Sequence, residues 1–343
     1  KHSMSKKNSN VILKDGFKNY DELSKIYYTF TKKLNSLKKK TLLIAVSGGP
    51  DSLALAALAK AYSYKHKCKI YYVLIDHNIR KNSSKEAQSV KNLLKRHQIK
   101  LNILKNKKQI TKNIQSQARE VRYNLLVNFC KTKNIKIILT AHNLEDQVET
   151  FFIRLSRGSG LHGLSSMKQI NTIKNNTILA RPLLSLRKLQ LIKISKIIFG
   201  KYYKDPTNNN TKYLRTRIRK FKKTLEKSGI HYDQIFKSIE NLSSSRDTLD
   251  LYFNKIYKDA IRKKKNKLLI NLKKFNTLNQ EMKMRIFNKS LKDFTNSYYS
   301  PRSKKTINLV DQIESKKNVK LTLAGCFIFR EKNHIIIEKE KKN

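Results

Sequence analysis

Cysteine and acidic residues are scarce in this chain of 343 residues. Its three cysteines, Cys68, Cys130 and Cys326, lie far apart and form no CxxC pair, which argues against a thiolate zinc or iron–sulfur site. An odd number of isolated cysteines is typical of a reducing compartment, so we expect a cytoplasmic protein. The sequence also lacks the run of about 20 apolar residues that a membrane-spanning helix requires, and we expect no association with membranes.

Positive charge dominates the composition. Lysine and arginine number 76 against 24 acidic residues, which gives a formal net charge of +52. Such an excess requires counter-charge, and nucleic acid is the commonest partner of strongly basic proteins. Lys, Asn and Ile are also the residues that an AT-rich coding sequence favours, so composition alone leaves a nucleic-acid partner and genome bias both open.

Strand and helix patterns alternate along the first part of the chain. The apolar spacing predicts helices over 23–37, 53–61, 84–97 and 113–132, and strands over 41–46, 69–75, 101–104 and 136–139. In the helical segments the apolar residues recur with a period of about 3.6, whereas short apolar runs bounded by turn residues indicate the strands. This alternation predicts an α/β fold with a parallel sheet and helices on both faces.

The chain length favours two domains. After about residue 222 the alternation gives way to lysine-rich helical patterns over 232–263 and 280–294, followed by short strands over 319–338. We therefore predict an α/β domain over 19–221 and a basic, mainly helical domain with a small terminal sheet over 222–343. Residues 1–3 precede Met4 and have the character of a tag remnant, so we expect 1–18 to be that remnant and a flexible segment.

A glycine-containing hexapeptide lies between the first strand and the second helix. It consists of Ser47, Gly48, Gly49, Pro50, Asp51 and Ser52. Amide groups at a helix start bind anions, and the two glycines permit positive φ angles that let the backbone wrap a phosphate. The two serines add hydroxyl donors, and Asp51 is a candidate ligand for Mg²⁺ or for the nucleotide. Since the hexapeptide does not match GxxxxGKS or GxxxxGKT, a P-loop that cleaves a γ-phosphate is not indicated.

This hexapeptide resembles the SGGxDS signature of the PP-loop ATP pyrophosphatases. Further segments resemble, in the same order, the motifs of the tRNA(Ile)-lysidine synthetase family within that class. These segments are 76–80 with Ser84 and 86–87, then 118–123, 140–150, 157–160 with 163–164 and Met167, 181–184, and 205–208. The resemblance covers about residues 41–219 and implies ATP as a substrate, release of pyrophosphate and adenylation of a substrate oxygen.

The candidate catalytic residues lie in these segments. His142, Asp146 and Glu149 are spaced four and three apart, which predicts one helix face. Such a face can bind Mg²⁺ or receive an ammonium group, although the same spacing also fits a solvated helix. Arg122, with Arg119 near it, is a candidate for stabilising charge on phosphoryl oxygens.

The resemblance implies a two-step reaction on an isoleucine tRNA with a CAU anticodon. ATP adenylates O2 of the wobble cytidine, and the amino group of free L-lysine then displaces AMP. We assign Asp51, Arg122 and His142 to adenylation, and Asp146 and Glu149 to lysine. A further stretch supplies candidate RNA contacts at Arg215, Arg217 and Arg219, where three arginines suit phosphates. The resemblance also implies a possible homodimer.

The sequence departs from the family pattern at three positions, where Asn143, Glu145 and Thr216 replace a histidine, an aspartate and an asparagine. Two other functions are compatible with the same loop. A PP-loop tRNA thiolase activates a base in the same way, but such enzymes generally rely on cysteines that are absent here as pairs. A catalytically inactive RNA-binding protein would retain the fold without the reaction.

Overall fold

The computed structural model describes residues 6–79, 82–107, 110, 114–203, 211–264, 266–295, 301, 303–315 and 320–340. Arg80 and residues 205–208, which belong to the motifs above, lie outside these ranges. The chain divides into two compact units, residues 1–243 and 244–343. Among the described residues, no helix has the length and apolar character needed to cross a membrane.

The first unit contains nine helices and six strands within its described residues. The helices are α1 (Lys6–Asp15), α2 (Asp21–Ser36), α3 (Pro50–Lys65), α4 (Ser83–Lys95), α5 (Ile114–Thr132), α6 (Leu144–Leu155), α7 (Leu161–Leu164), α8 (Lys188–Phe199) and α9 (Leu214–Lys227). The strands are β1 (Thr41–Val46), β2 (Lys69–Asp76), β3 (Leu101–Lys105), β4 (Ile137–Leu139), β5 (Ile170–Thr172) and β6 (Ile178–Ala180). A further helix, α10 (Tyr232–Ala260), begins in this unit and ends in the second.

The six strands form one sheet in the order β3-β2-β1-β4-β6-β5. All neighbours run parallel except β5 and β6, which form an antiparallel pair at the edge. The predicted parallel α/β fold is therefore confirmed. From β1 the chain continues to β2 on one side, while β4 lies on the other, so the carboxyl ends of β1 and β4 flank the switch in strand order. Ligands of open α/β sheets bind at such a switch.

Helix α3 lies at the centre of the unit and fixes the position of the loop before it. Ten of its sixteen residues are buried, including every residue from Ser52 to Ala59. Its sequence is rich in alanine and leucine on all sides, so it can pack against β1, α1 and α8 at once. Because the helix is buried from Ser52 to Ala59, its first residue Pro50 is held at a fixed point next to the sheet edge.

The N-terminal segment differs from the prediction of a flexible stretch over 1–18. Residues 6–15 form α1, which packs against α3 and α8. Ile12, Leu13 and Phe17 belong to the main core, and the last two are fully buried. The physical reason is that these apolar side chains, close together in an otherwise polar stretch, complete the cover over α3.

The boundary between the units also differs from the predicted position at 221–222. The structure places it between Ser243 and Ser244. Apolar side chains after residue 222, namely Leu225, Tyr232, Ile235 and Ile239, pack with Leu144 and Val148 of α6 in the first unit. The basic composition of this stretch concealed that apolar face.

The second unit combines helices with a five-stranded antiparallel sheet. Its elements after α10 are β7 (Ile261–Lys264), β8 (Lys267–Asn271), α11 (Leu272–Asn276), α12 (Gln280–Thr295), α13 (Ser303–Ser315), β9 (Lys320–Leu323), β10 (Cys326–Glu331) and β11 (His334–Lys339). The strand order is β7-β8-β11-β10-β9. Buried residues from α12, α13 and the sheet, among them Phe287, Val310 and Ile328, form its core. The predicted helical module with a small terminal sheet is confirmed, and its helix over 232–263 gives way to β7 after residue 260.

Truncating Phe17 tests whether α1 is part of the folded core. Phe17 is 0% exposed, so Phe17→Ala should lower the free energy of unfolding by about 3–5 kcal/mol, through lost apolar burial and the cavity left behind. Val11 of α1, the helix that precedes Phe17, is 53% exposed, and Val11→Ala is the matched control, with an expected change within about 0.5 kcal/mol. Urea unfolding followed by circular dichroism measures both. Equal stability of the two variants would contradict the packing of α1.

Candidate active site

The phosphate loop connects β1 to α3 at the switch in strand order. Gly48 adopts a φ of +83°, and a Cβ atom there would lie 2.5 Å from Cγ2 of Val90. Only glycine meets both conditions without strain or displacement. Gly49 precedes the first helical residue in an extended conformation, and Pro50 occupies the first position of α3, where its lack of an amide hydrogen costs no helix hydrogen bond.

The two serines of the hexapeptide have different environments. Ser52 is buried, and its hydroxyl accepts hydrogen bonds from the Ser47 amide and hydroxyl, both at 3.1 Å, and donates to the Gly49 carbonyl at 3.0 Å. Ser52 therefore holds the loop in shape. Ser47 is exposed, so its hydroxyl is the one that remains accessible to a phosphate. The amide groups of the first turn of α3 have no partner within the helix and add further donors.

Asp51 lies in an environment that penalises its negative charge. Burial, with the nearby carboxylates of Asp146 and Glu145, raises the pKa of Asp51 to about 6, although the Lys188 ammonium group and a hydrogen bond from Asn143 lower it. Its Oδ1 atom is buried and has no hydrogen-bond partner among the described residues. A carboxylate oxygen in this state fits a cation, because coordination would supply the missing partner and offset the desolvation.

The structure places His142 before α6, not on it. Helix α6 begins at Leu144, and Asn143 caps it, so the predicted single helix face of His142, Asp146 and Glu149 is wrong for the histidine. The Asn143 side chain accepts a hydrogen bond from the Asp146 amide at 2.9 Å, and the Asp146 carboxylate accepts one from the Asn143 amide at 3.1 Å. This capping box fixes the start of the helix at Leu144, so His142 lies in the connection between the carboxyl end of β4 and α6.

His142 is held neutral by its surroundings. Its Nδ1 atom lies 2.9 Å from the Thr140 hydroxyl. Burial lowers its pKa well below the usual value, and the positive charges of Arg181, Arg119, Arg215 and Arg122 lower it further. Guanidinium groups from three separate parts of the chain thus act on one imidazole. Such a concentration of positive charge suits a polyphosphate or a nucleic acid.

The carboxylates of α6 are joined to the arginines of α9. Glu149 is 1% exposed, and its two oxygens accept hydrogen bonds at 2.7 Å from Nε of Arg215 and Nε of Arg219. Arg215 also reaches Oδ1 of Asp146 through Nη2 at 3.2 Å. Hydrogen bonding to Glu149 raises the pKa of Arg219. These ion pairs fix α9 against α6 next to the phosphate loop.

The three candidate RNA contacts divide between two faces of α9. Arg215 and Arg219 are one helical turn apart and face inward to Glu149, whereas Arg217 is exposed. Thr216, one of the departures from the family pattern, lies between Arg215 and Arg217 in the sequence and is buried. The prediction that all three arginines contact RNA phosphates stays untested, and the geometry leaves Arg217 as the one that solvent reaches freely.

The structure also gives the other two departures local roles. Asn143 caps α6, as described above. Glu145 accepts a hydrogen bond at 2.9 Å from the amide of Lys188, the first residue of α8, and its carboxylate lies 3.7 Å from the Lys222 ammonium group. Both substitutions therefore connect the start of α6 to neighbouring helices.

Sequence reasoning missed His77, which follows β2 at the same sheet edge. Its Nε2 atom lies 3.5 Å from Nη2 of Arg122. Burial and the Arg122 charge lower the pKa of His77 to about 4, against the opposing effect of Asp76. Asp76 itself accepts hydrogen bonds from the Asn78 amide and the Ser84 hydroxyl and shapes the turn. The motif at 76–80 is enough to predict the turn, but the contact between His77 and Arg122 of α5 can be recognised only from the folded structure.

Other motif residues form the wall beside α6. Arg154 donates to the Gly163 and Ser166 carbonyls at 2.7 and 2.8 Å, and the Gln147 side chain pairs with the backbone of Met167 at 3.0 and 2.8 Å. Arg181 is buried and donates to the Lys168 carbonyl at 2.6 Å. These contacts fix the segment between α6 and β6.

No group of three or more His, Cys, Asp or Glu residues in the described part of the chain could enclose a metal ion. Mg²⁺ usually keeps several waters and binds one or two carboxylates together with substrate phosphates, so a single carboxylate oxygen beside a phosphate site is enough to hold it. The unpartnered oxygen of Asp51 beside the phosphate loop meets that requirement.

Comparison with known proteins places the chain in a class. Residues 22–224 match the PP-loop domain family. The fold is similar to that of the U34-tRNA thiolase NcsA from Methanococcus maripaludis, with a TM-score of 0.55 and 18% identity over 65% of this chain and 80% of that one. At that identity the likeness concerns the fold alone. The chain thus has the ATP-binding domain of the PP-loop proteins.

Relatives at higher identity narrow the assignment. The chain is 33% identical to the tRNA(Ile)-lysidine synthase of Wolbachia pipientis wMel over 302 residues, which are 87% of this chain and 70% of the relative. It is 43% identical to the same enzyme of Orientia tsutsugamushi (strain Boryong) over 187 residues, or 54% of this chain and 42% of the relative. The chain belongs to the tRNA(Ile)-lysidine synthase family.

Replacing Gly48 tests the geometry of the phosphate loop. Gly48→Ala forces a Cβ atom against Val90 at a positive φ, so the loop must shift, and ATP-dependent pyrophosphate release should fall by roughly a hundredfold or more. Gly325 has a similar φ of +74° with no atom within 4 Å of an added Cβ, and Gly325→Ala is the control for backbone strain alone. Wild-type pyrophosphate release in Gly48→Ala would refute the close fit.

The raised pKa of Asp51 predicts a pH-dependent stability. The folded protein holds this proton up to about pH 6, whereas the unfolded chain loses it near the ordinary pKa of 3.8. Stability contributed by this group is therefore lost as pH rises from about 4 to 6. Above pH 6, ligand-free Asp51→Asn should be more stable than the wild type by about 1–3 kcal/mol, and the difference should shrink towards pH 4. Urea unfolding across this range measures it; a difference independent of pH would contradict the assignment.

Proposed function

We propose that this chain is an ATP-dependent ligase that attaches L-lysine to C2 of the wobble cytidine in the CAU anticodon of an isoleucine tRNA. The reaction releases pyrophosphate and AMP and changes the codon read from AUG to AUA. The proposal is supported by the family membership and, in the structure, by one observation above all. A phosphate loop and a cluster of guanidinium groups lie beside the carboxylates of Asp146 and Glu149, which are paired with Arg215.

In the first step, O2 of the cytidine attacks the α-phosphorus of ATP and pyrophosphate leaves. The loop amides and Ser47 bind the departing phosphates, and Arg122 compensates charge that develops on the phosphoryl oxygens. Asp51 would hold Mg²⁺, which neutralises phosphate charge when bound. His142 enters this step as a neutral imidazole, so it offers one proton donor and one acceptor without adding charge.

In the second step, the ε-amino group of lysine attacks C2 and expels AMP. Lysine arrives as an ammonium ion, and it must bind a carboxylate and lose a proton before it is nucleophilic. Asp146 and Glu149 take this role in the proposal. Since Arg215 contacts both carboxylates, the ammonium group replaces it at Asp146, whose side chain is 21% exposed against 2% for Glu149. Glu149 retains Arg219 and keeps α9 in place during this exchange.

The cysteines argue against the thiolase alternative. Cys130 and Cys326 are buried and Cys68 is half-buried, and burial raises the pKa of all three thiols, that of Cys130 to about 12. A thiol with a raised pKa is a poor nucleophile and a poor metal ligand at neutral pH. The inactive RNA-binding protein is left to the experiment below. The cytoplasmic location and the homodimer stay predictions from the sequence.

Incorporation of labelled L-lysine tests the proposal. With ATP and Mg²⁺, label should enter an unmodified isoleucine tRNA transcript with a CAU anticodon and should not enter the methionine tRNA with the same anticodon. Asp51→Asn should abolish both pyrophosphate release and lysine incorporation, because it acts in the first step. Asp146→Asn keeps the side-chain shape and should release pyrophosphate while losing lysine incorporation by roughly a hundredfold.

The two measurements separate the alternatives. Pyrophosphate release that depends on RNA but not on lysine would retain the PP-loop chemistry and reject lysine as the second substrate. Tight RNA binding without either product would instead establish an inactive RNA-binding protein.

A further inference from the structure

Helix α9 has two faces of different character. Its inner face carries Arg215, Arg219 and Lys222, which pair with Asp146, Glu149 and Glu145 of α6. Leu225, on the same side, is buried against α6 and α10. The inner face is thus committed to the fold, and α9 cannot rotate about its axis without breaking several charge pairs.

The outer face of α9 consists of Arg217, Lys220, Phe221 and Thr224, all of which are exposed. These residues lie at helical spacings of three and four, so they share one stripe of the surface. Phe221 is 52% exposed. The helix contains a single acidic residue, Glu226, and that residue lies 3.8 Å from Lys222 of the inner side. The outer face is therefore cationic with an aromatic ring at its centre.

The position of this face is set by the active site. Arg215 contacts Asp146, and the charge of Asp146 in turn acts on Asp51 of the phosphate loop. We expect a nucleotide that reacts at the loop to lie beside α6, and the RNA strand that leads to it to pass along the neighbouring helix α9. The outer face of α9 is exposed, as are Lys223 and Lys227 of the same helix.

We propose that the outer face of α9 binds an unpaired stretch of the tRNA next to the reacting nucleotide. The ring of Phe221 stacks on a base, and Arg217 and Lys220 contact the flanking phosphates. Aromatic rings between cations are the usual means of holding single-stranded RNA, because every base presents a face and every linkage a charge. The inference rests on the proposed function, since it takes tRNA as the substrate.

The chain provides a matched control on another helix. Tyr28 of α2 is 72% exposed and has two exposed lysines on its side of the helix, Lys25 three residues before it and Lys32 four residues after it. Composition is thus similar on the two helices, but no ion pair joins α2 to the carboxylates of α6 among the described contacts. If charge and an aromatic ring alone attracted RNA, both surfaces would bind equally.

A single tryptophan makes the contact visible, because the natural chain contains none. In Phe221→Trp, titration with an anticodon stem–loop of the isoleucine tRNA should quench the emission. A fully paired RNA duplex with the same number of phosphates should leave it nearly unchanged. Tyr28→Trp should show no quenching with either RNA. Equal quenching of the two variants, or quenching of Phe221→Trp by the duplex alone, would overturn the proposal.

Affinity and activity give the second readout. Phe221→Ala should raise the Kd for the tRNA roughly ten- to hundredfold. Arg217→Ala with Lys220→Ala should lower the slope of log Kd against log salt by about 1.4, as expected for two lost phosphate contacts on a single strand. The KM for ATP should stay unchanged in both. Lys25→Ala with Lys32→Ala should leave Kd, slope and activity at wild-type values.

The outcomes distinguish this inference from the proposed function. If the wild type incorporates lysine while the α9 variants keep wild-type Kd and slope, the docking surface is wrong and the reaction stands. If the wild type incorporates no lysine but Phe221→Trp is quenched by the stem–loop, the surface stands and the reaction is wrong. An unchanged emission together with lysine incorporation would leave the outer face to a partner other than RNA.

Discussion

The carboxylate of Glu149 lies almost out of contact with solvent, between the guanidinium groups of Arg215 and Arg219. A buried charge of this kind is tolerable only while its partners stay, because loss of either one leaves an ion that water no longer solvates. The pairing of Glu149 with the two arginines therefore determines the arrangement of the helices more than it adds to the stability of the fold. It fixes where α9 lies against α6, and with it which face of α9 points outward and how close a cation comes to Asp146.

Around Glu149 and its two arginines, the site contains charged groups whose charge the surrounding protein does not neutralise. One oxygen of Asp51 has no hydrogen-bond partner in the part of the chain that the structure describes, and several arginines act on His142. The rest of the unit keeps these groups together against their repulsion. Helix α3 is buried on all sides and holds the loop, while the Asn143 cap fixes the start of α6. The fold thus maintains an arrangement that becomes favourable when phosphate and cation enter it.

Local patterns explain which features were predictable. The phosphate loop, the strand–helix alternation and the helix that follows the loop each depend on residues close together in sequence, and all were predicted. The partners of Glu149 are 66 and 70 residues away, so no local pattern shows that two candidate RNA contacts point inward. The strands β5 and β6 have three residues each, too few to display a period. The position of His142 was within reach, since Asn143 followed three residues later by Asp146 is a capping-box pattern.

The neutrality of His142 has a thermodynamic consequence. Burial is the main cause of its lowered pKa, and the arginines that lower the pKa further are the groups that a polyanion would neutralise. Once their field is cancelled, the imidazole binds a proton more readily, so in the pH interval between its two pKa values the ligand and the proton bind together. The enthalpy of nucleotide binding then includes the ionisation enthalpy of the buffer that supplies the proton, so it differs from buffer to buffer. The apparent affinity for the nucleotide also depends on pH more than the titration of its phosphates explains.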